Sequence, residues 1–152
     1  MSKGTITRWS DNAVKAAEAL VARNKPDLEV VVSSKKQLMI DYDLEELPDE
    51  RLSTSLSLLR TRVGKGELVY RTYRSGSGKH WHVVVEMPVE MDDVERSAWQ
   101  LVFGSDYKRD ALGLISVARH VKNPVLLFMK KHKRAVEVAT VPERPSRKFK
   151  TE

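Results

Sequence analysis

Short apolar runs alternate along this chain with segments in which large apolar residues recur every three or four positions. Two of the runs, LMIDYD and HWHVVVEM, also carry alternating polar and apolar residues at one end. A period of two is typical of a strand, and a period of three to four is typical of a helix. A chain that carries both periods in turn is restricted to a sheet covered by helices.

The predicted elements define an order along the chain. From Gln37 onward this order is β-α-β-β-α-α-β, an antiparallel-rich α+β sheet covered by helices. An N-terminal helix capped by Ser10 precedes it over 11–24, and LEVVVSS and QLMIDYD are predicted to pair as a hairpin. One covering helix is predicted over 48–63, and another begins with the capping-box-like DDVE and ends at Gly104. A further helix and a last strand, VLLFMKK, complete the order.

Composition restricts the chain further. Its 152 residues are 41% hydrophobic and 32% charged, which is typical of a globular domain with a buried core. The sequence has no apolar run near the ~20 residues of a membrane span and no signal-peptide segment at MSKGTITRWSDN. We therefore expect a cytoplasmic protein without a membrane partner. The absence of cysteine excludes disulfides, thiolate zinc sites and cysteine nucleophiles.

Positive charge is concentrated near the C-terminus. From Lys130 to Glu152, eight basic and three acidic residues give a balance of +5, out of a net charge of +6 for the chain. We predict one domain over 1–139 and a basic, disordered tail over 140–152, because the tail contains prolines and few large apolar residues. Such a tail is either an electrostatic arm for nucleic acid or a solubilising terminus.

Two pairs of like polar residues lie at strand ends. Asp41 and Asp43 end one predicted strand, and His80 and His82 begin another beside the glycine-bearing turn GSGK. Side chains two apart on a strand point to the same face, so each pair presents two like groups side by side. Converging carboxylates are costly unless a cation or a proton lies between them, and metal-assisted phosphoryl transfer uses such carboxylates. If the two strands are neighbours, all four side chains line one cleft.

Together these motifs resemble the archaeo-eukaryotic primase superfamily, and in particular small phage-type members. The resemblance rests on the apolar strand ending in IDYD, on the helix that follows it, and on SGSGKHWH at the start of an apolar strand. The later stretch LVFGSDYKR resembles a segment of small phage proteins of unknown role. The resemblance covers the chain from Val30 to Lys130.

The resemblance implies a fold and a catalytic centre. The core of that superfamily is an RRM-like antiparallel sheet of βαββαβ order, in which two aspartates bind divalent metal and a histidine contacts the phosphates of the incoming nucleotide. Carried over to this chain, Asp41 and Asp43 are the catalytic ligands of Mg²⁺ or Mn²⁺, and His82 is the catalytic phosphate contact. A third carboxylate completes the metal site, and Asp106 is the expected residue, with Asp110 as its alternative.

The other candidates extend a positive surface beside this centre. They are expected to bind phosphate or nucleic acid: Arg71, Arg74, Lys79, His80 and Arg109. Aromatic residues interleave with them, as on platforms where single strands stack bases: Tyr70, Tyr73 and Trp81. Strand parity places Tyr70 and Tyr73 on opposite faces and turns Trp81 toward the core. The implied partners are single-stranded nucleic acid, expected to be DNA, together with nucleotides and replication proteins.

Simpler interpretations are open for the same residues. The aspartate pair also suits a strand that runs into an acidic loop, and the histidine pair suits the polar face of an amphipathic hairpin. Asp106 also suits a helix N-cap, and Arg109 suits a solvated helix face. The functions under consideration are a primase-polymerase-type nucleotidyltransferase, a non-catalytic binder of single-stranded DNA or RNA, and a metal-dependent nuclease. A third carboxylate beside the aspartate pair favours an enzyme, and an aromatic-lined groove favours the binder.

Overall fold

The computed structural model describes residues 28–75, 78–105, 126–130 and 134–143, with single helical positions at 15, 18, 19, 22, 23, 111, 114, 115 and 118. Positions 15 to 23 of this set fall within the predicted N-terminal helix. The strands and helices of the described ranges are β1 (Leu28–Val32), β2 (Gln37–Tyr42), α1 (Asp49–Val63), β3 (Val69–Arg74), β4 (Trp81–Glu86), α2 (Asp93–Phe103), β5 (Leu126–Lys130) and β6 (Glu137–Thr140). Within these ranges we find no helix with the length and apolar character needed to span a membrane.

Four strands form one antiparallel sheet in the spatial order β2-β4-β3-β6. The predicted α+β class, with helices covering an antiparallel sheet, is confirmed. The βαββαβ order also places β5 in this sheet, but β5 pairs with β1 in a separate two-stranded sheet. The fourth position is taken by β6, a strand that the sequence analysis does not predict, and β6 pairs with the outer side of β3.

The predicted hairpin between β1 and β2 is wrong. The turn that precedes β2 is bonded instead to the chain that follows β4. The carbonyl of Lys36 accepts the N–H of Met87 at 2.8 Å, and the carbonyl of Lys35 accepts the N–H of Met91 at 2.9 Å. These bonds extend the pairing of β2 with β4, so β1 is left to pair with β5.

One face of the four-stranded sheet forms the core and is called the helix face. The strands contribute buried side chains at alternate positions: Leu38, Ile40 and Tyr42 from β2, and Val83 and Val85 from β4. The covering helices contribute Leu52, Leu56, Leu59 and Val63 from α1, and Phe103 from α2. The opposite side, called the Asp41 face, carries the intervening residues of the same strands, and the candidate site lies there.

Helix α1 matches its prediction at both ends. It follows Pro48, carries Asp49 and Glu50 in its first turn, and ends at Gly64, where φ is +71°. Acidic residues at the start of a helix oppose the partial positive charge of its free N–H groups. The apolar residues at helical spacing are the ones that pack on the sheet, which is why the sequence pattern locates this helix correctly.

Helix α2 begins at its predicted cap and turns a polar face inward. The Asp92 side chain accepts the N–H of Glu95 at 2.8 Å, and Gly104 ends the helix with φ of +82°. The buried side chains nevertheless include Arg96 and Gln100, whereas Val94 is 49% exposed. The helix therefore covers the sheet partly through hydrogen bonds.

Those hydrogen bonds reach the outer edge of β2 and the segment that precedes it. Gln100 Oε1 accepts the N–H of Met39 at 3.2 Å, and the Arg96 guanidinium donates to Ser33 Oγ at 2.7 Å and to the Ser34 carbonyl at 2.8 Å. Arg96 also pairs with Asp93 on its own helix. A buried N–H without a partner is costly, so these side chains stabilise a strand edge that has no strand beside it in the four-stranded sheet.

The chain after β6 is tied to the loop between α1 and β3. The buried guanidinium of Arg60 donates to the carbonyls of Gly64, Gly66 and Val141 at 2.6 to 3.2 Å. Glu143 Oε1 accepts the N–H of Gly66 at 3.0 Å. Ordered contacts therefore continue to Glu143, past position 140 where the tail was predicted to begin, and residues 144–152 lie outside the described ranges.

Candidate functional site

The two predicted polar pairs are brought together by the pairing of β2 with β4. In the register of this ladder, Asp41 lies directly opposite His82. Their side chains share the Asp41 face, and Asp41 Oδ1 lies 3.6 Å from His82 Nε2. The adjacency on which the cleft prediction depends is therefore present, although the 38 residues from 43 to 80 separate the two strands in the chain.

A second pair extends the same arrangement by two residues. Asp43 Oδ1 lies 2.9 Å from His80 Nδ1, directly beyond the last paired residues of the ladder, Tyr42 and Trp81. Both aspartates and both histidines thus lie along one end of the Asp41 face, as two parallel carboxylate–imidazole pairs. The geometry concentrates two carboxylates and two titratable nitrogens in adjacent rows.

Exposure rises along this end of the face. On β2, Met39 is 1% exposed, whereas the side chains of Asp41 and Asp43 are 28% and 79% exposed. The buried end of the site is therefore at Met39, and its exposed end is at Asp43, near the turn between β3 and β4. Within this gradient, Asp41 Oδ1 is buried and has no hydrogen-bond partner among the described residues.

The turn between β3 and β4 positions His80. The Ser75 N–H donates to the His80 carbonyl at 2.9 Å, and the His80 N–H donates to Ser75 Oγ at 3.1 Å. Gly78 N–H closes the turn by donating to the Ser75 carbonyl at 3.0 Å, with φ of +72° at Gly78. A left-handed φ suits glycine, so this residue lets the hairpin turn tightly beside the site.

Ser105 supports the other end of the site and was not singled out from the sequence. Its Oγ accepts the Asp41 N–H at 3.0 Å, from just beyond the C-terminal end of α2. The two residues are 64 positions apart, so no local pattern signals this contact. Asp106 follows Ser105 in the sequence, but Asp106, Arg109 and Asp110 lie outside the described ranges, and their predicted roles stay predictions.

The basic residues of the hairpin do not form one surface. Arg71 lies on the Asp41 face, where its Nη1 is 2.7 Å from Glu86 Oε2, and the hydrogen bond to Glu86 raises the pKa of Arg71.

Arg74 lies opposite Trp81 on the helix face and donates to the Gly78 carbonyl at 2.6 Å. Its guanidinium carbon is 4.9 Å from the centre of the Trp81 ring. Lys79 is exposed in the turn beside His80. The structure thus brings His80 to the site, leaves Lys79 exposed in the adjacent turn, and leaves Arg74 on the other face.

The aromatic residues divide as strand parity predicts. Tyr70 and Trp81 pack against the core, and the Trp81 indole N–H donates to the Glu45 carbonyl at 3.0 Å. Tyr73 lies opposite His82 in the pairing of β3 with β4 and is half-buried on the Asp41 face. One aromatic ring of the three therefore borders the site.

The donor set suits a hard divalent cation only in part. Two carboxylates on one face, one of them with a buried oxygen that lacks a hydrogen bond, are suitable ligands for Mg²⁺ or Mn²⁺. Across the described ranges, however, no three acidic or histidine side chains converge closely enough to hold a metal ion. The described residues supply two candidate ligands, and a complete site needs another.

Comparison of the chain with protein-family models, with curated proteins and with solved structures gave no match. The functional interpretation therefore depends on the geometry of the residues themselves.

Proposed function

We propose that this protein binds single-stranded nucleic acid and nucleotides through an RRM-like sheet and catalyses metal-dependent nucleotidyl transfer. Asp41 and Asp43 are the proposed ligands of Mg²⁺ or Mn²⁺, and His82 is the proposed phosphate contact. The observation that carries the proposal is the register of β2 against β4, which sets Asp41 opposite His82 and leaves Asp41 Oδ1 buried without a hydrogen bond. A buried carboxylate oxygen in this state is stabilised by a cation or a proton.

The arrangement of elements supports the RRM-like part of the proposal. The chain order β2-α1-β3-β4-α2 supplies the first five elements of a βαββαβ unit, with β4 lying between β2 and β3. The two described helices α1 and α2 contribute core residues on the helix face, and the site lies on the opposite face, where Met39 and Val84 are also buried. RRM sheets bind single strands through aromatic residues on one face of the sheet.

The side chains have distinct roles in the proposed reaction. A divalent cation supplies charge neutralisation at the transferring phosphate, which is the main requirement of phosphoryl transfer. Asp41 and Asp43 would hold that cation, with Asp106 as the predicted third carboxylate. His82 and His80 would donate hydrogen bonds to phosphate oxygens, and Lys79 in the adjacent turn would add positive charge.

A non-catalytic binder of single-stranded nucleic acid is the second candidate. It is favoured by the pairing of each aspartate with a histidine, and by the lack of a three-ligand metal group in the described ranges. In that case the two Asp–His pairs would stabilise the end of the β2–β4 ladder, and binding would rest on the basic residues of the turn and the C-terminus.

Nucleotide incorporation on a primed or unprimed single-stranded DNA template, with Mn²⁺ or Mg²⁺, tests the proposal. We expect product from the wild type and none from the double variant Asp41→Ala/Asp43→Ala. The matched control is Asp49→Ala/Glu50→Ala, which removes two exposed carboxylates from the first turn of α1 and should leave incorporation unchanged.

The assay also separates the alternatives. Shortening of the template by the wild type, without extension, would identify a nuclease. If neither the wild type nor the Asp41/Asp43 variant makes product, and both retain salt-dependent binding of the strand, the catalytic proposal is wrong and the binder is correct.

A further inference from the structure

Tyr73 belongs to the same row of side chains as Asp41 and His82. His82 lies between them, because β4 pairs with β2 on one side and with β3 on the other. The row therefore places a carboxylate, an imidazole and a phenol ring on three adjacent strands of one face. At a strand spacing of about 4.8 Å, the two ends of the row are about 10 Å apart, a span that one nucleotide bridges.

The Tyr73 ring does not pack in the core, whereas the rings of Tyr42 and Tyr70 do. The Tyr42 hydroxyl donates to the Phe103 carbonyl at 2.7 Å, and the Tyr70 hydroxyl is 3.3 Å from Glu137 Oε1. Both of those rings lie on the helix face. Tyr73 is half-buried on the opposite face, and no hydrogen bond joins its hydroxyl to another described residue.

The surroundings of Tyr73 are polar on one side and open on the other. Two residues earlier on β3, Arg71 shares the Asp41 face and is held by Glu86. Toward the turn, exposure of the face increases, from His82 at 12% to His80 at 38% of their side-chain surfaces. The ring thus lies at the border between the covered and open parts of the face, beside the proposed phosphate contacts.

We infer that Tyr73 is the nucleobase-stacking residue of this site, with the base on its ring and the phosphates directed toward His82 and the aspartate pair. This inference rests on the proposed nucleotide-binding function and adds the residue that distinguishes a nucleotide from a bare polyphosphate. Stacking on an aromatic ring tolerates every base, because each base has a π-face, so the subsite selects nucleotides without selecting sequence.

Calorimetric titration in Mn²⁺ with a nucleoside triphosphate and with inorganic tripolyphosphate tests the inference. The wild type should bind the nucleoside triphosphate more tightly than tripolyphosphate. Tyr73→Leu, which keeps an apolar side chain but removes the ring, should weaken nucleotide binding by about tenfold to a hundredfold and leave tripolyphosphate binding unchanged. Tyr73→Phe should retain the wild-type preference, and Tyr70→Phe on the opposite face is the matched control.

The titration separates the absence of base stacking on Tyr73 from the absence of a nucleotide site. Equal affinity of the wild type for the two ligands, or an equal loss of both in Tyr73→Leu, would show that the ring does not stack a base, while the proposed phosphate and metal contacts would stand. Failure of the wild type to bind either ligand would overturn the nucleotide site as a whole. Far-ultraviolet circular dichroism of each variant confirms that the comparison is made between folded proteins.

Discussion

At the scale of single residues, the proposed metal site depends most on the carboxylate of Asp41. Its oxygen Oδ1 is buried beside His82, and its backbone N–H is held by Ser105. The hydrogen bond to Ser105 holds the backbone of Asp41, whereas its side-chain oxygen Oδ1 lies 3.6 Å from His82 Nε2. A buried carboxylate oxygen without a hydrogen bond is costly unless a cation or a proton lies beside it.

We expect Asp41→Asn to weaken binding of Mn²⁺ by at least about tenfold. Removal of a group that only supports a metal ligand lowers metal affinity by about 10–100-fold, and loss of the ligand itself should cost at least as much. The amide keeps the shape of the side chain, so the fold should be retained. Calorimetric titration with MnCl₂ measures the effect, and Asp49→Asn in α1 is the control. Unchanged affinity in Asp41→Asn would show that the pair with His82 is structural.

Tyr42 gives a prediction about alkaline pH. Burial raises the pKa of its hydroxyl well above the ordinary value of 10.0, and the positive charge of Arg51 opposes the rise. The folded state therefore holds this proton more tightly than the unfolded chain does. The stabilisation is fully present below about pH 10 and is lost as the pH rises toward the folded pKa.

The free energy of unfolding, measured by urea titration between about pH 8 and pH 11, should therefore fall steeply above about pH 10. Tyr42→Phe should flatten this dependence, even though it also removes the hydrogen bond to Phe103 and lowers stability at neutral pH. Tyr70, whose pKa is raised by burial and by Glu137, contributes with the same sign, and Tyr70→Phe is the comparison. If the free energy of unfolding of Tyr42→Phe fell with pH as steeply as that of the wild type, the raised pKa of Tyr42 would be contradicted.

At the scale of elements, α2 shows how tertiary contacts determine which face of a helix is buried. Its sequence offers Val94 and Val102 as apolar positions, yet these are 49% and 41% exposed. Arg96 and Gln100 are buried instead, because the edge of β2 presents the Met39 N–H and the segment before β2 presents the Ser34 carbonyl, and both need partners. Helical periodicity identifies the helix but not this requirement of the strand beside it.

Arg96→Met should lower the free energy of unfolding by about 2–3 kcal/mol, because it removes the charged hydrogen bonds that a buried guanidinium makes to Ser33, to the Ser34 carbonyl and to Asp93. The matched control is Arg62→Met. Arg62 pairs with Glu95 at the surface, where an ion pair contributes about 0–1 kcal/mol. Urea titration of both variants measures the difference, and equal losses would mean that α2 is not anchored through Arg96.

Strand parity was the most reliable guide that the sequence offered. It placed the two aspartates on one face of their strand and the two histidines on one face of theirs, separated Tyr70 from Tyr73, and turned Trp81 toward the core, as the registers show. Parity follows from the local geometry of an extended chain, so it needs no knowledge of the neighbouring strand. The choice of partner strand does need that knowledge, and the predicted pairing of β1 with β2 failed there.

Ser105 and β6 escaped prediction for the same physical reason. Ser105 acts through a hydroxyl bonded to a residue 64 positions away, and the four residues of β6 carry little apolar signal of their own. Both bind backbone groups of the sheet, on β2 and on β3 respectively. Those groups come within reach only when the chain has folded. The candidate site was thus located by its aspartates and histidines, whereas its supporting contacts were not.

At the scale of the whole molecule, β6 and the residues after it hold the sheet and α1 together. The Val136 N–H donates to the Thr72 carbonyl at 2.7 Å, and the Val141 N–H donates to the Leu68 carbonyl at 2.8 Å. Arg60 adds a bond from α1 to the Val141 carbonyl. The segment therefore belongs to the folded domain although it follows a strongly basic stretch of sequence.

Two truncations test this conclusion. A chain that ends at Glu143 should keep the wild-type free energy of unfolding, because every described contact of the segment is retained. A chain that ends at position 133 should lose about 3 kcal/mol or more, because each hydrogen bond that is removed contributes about 1 kcal/mol and Arg60 loses a buried partner. Equal stability of the two truncated chains in urea titration would show that β6 is dispensable.

The hydrogen bonds from α2 to β2 also affect the behaviour of this protein in concentrated solution. Because Gln100 and Ser105 occupy outward N–H groups of β2, that edge offers a poor template for fibril growth. Among the strands of the four-stranded sheet, the other outer edge is β6, where Val138 is 58% exposed and Val136, just before the strand, is 63% exposed. Within this four-stranded sheet, edge-to-edge aggregation should therefore start at β6, and Val138→Lys should suppress it.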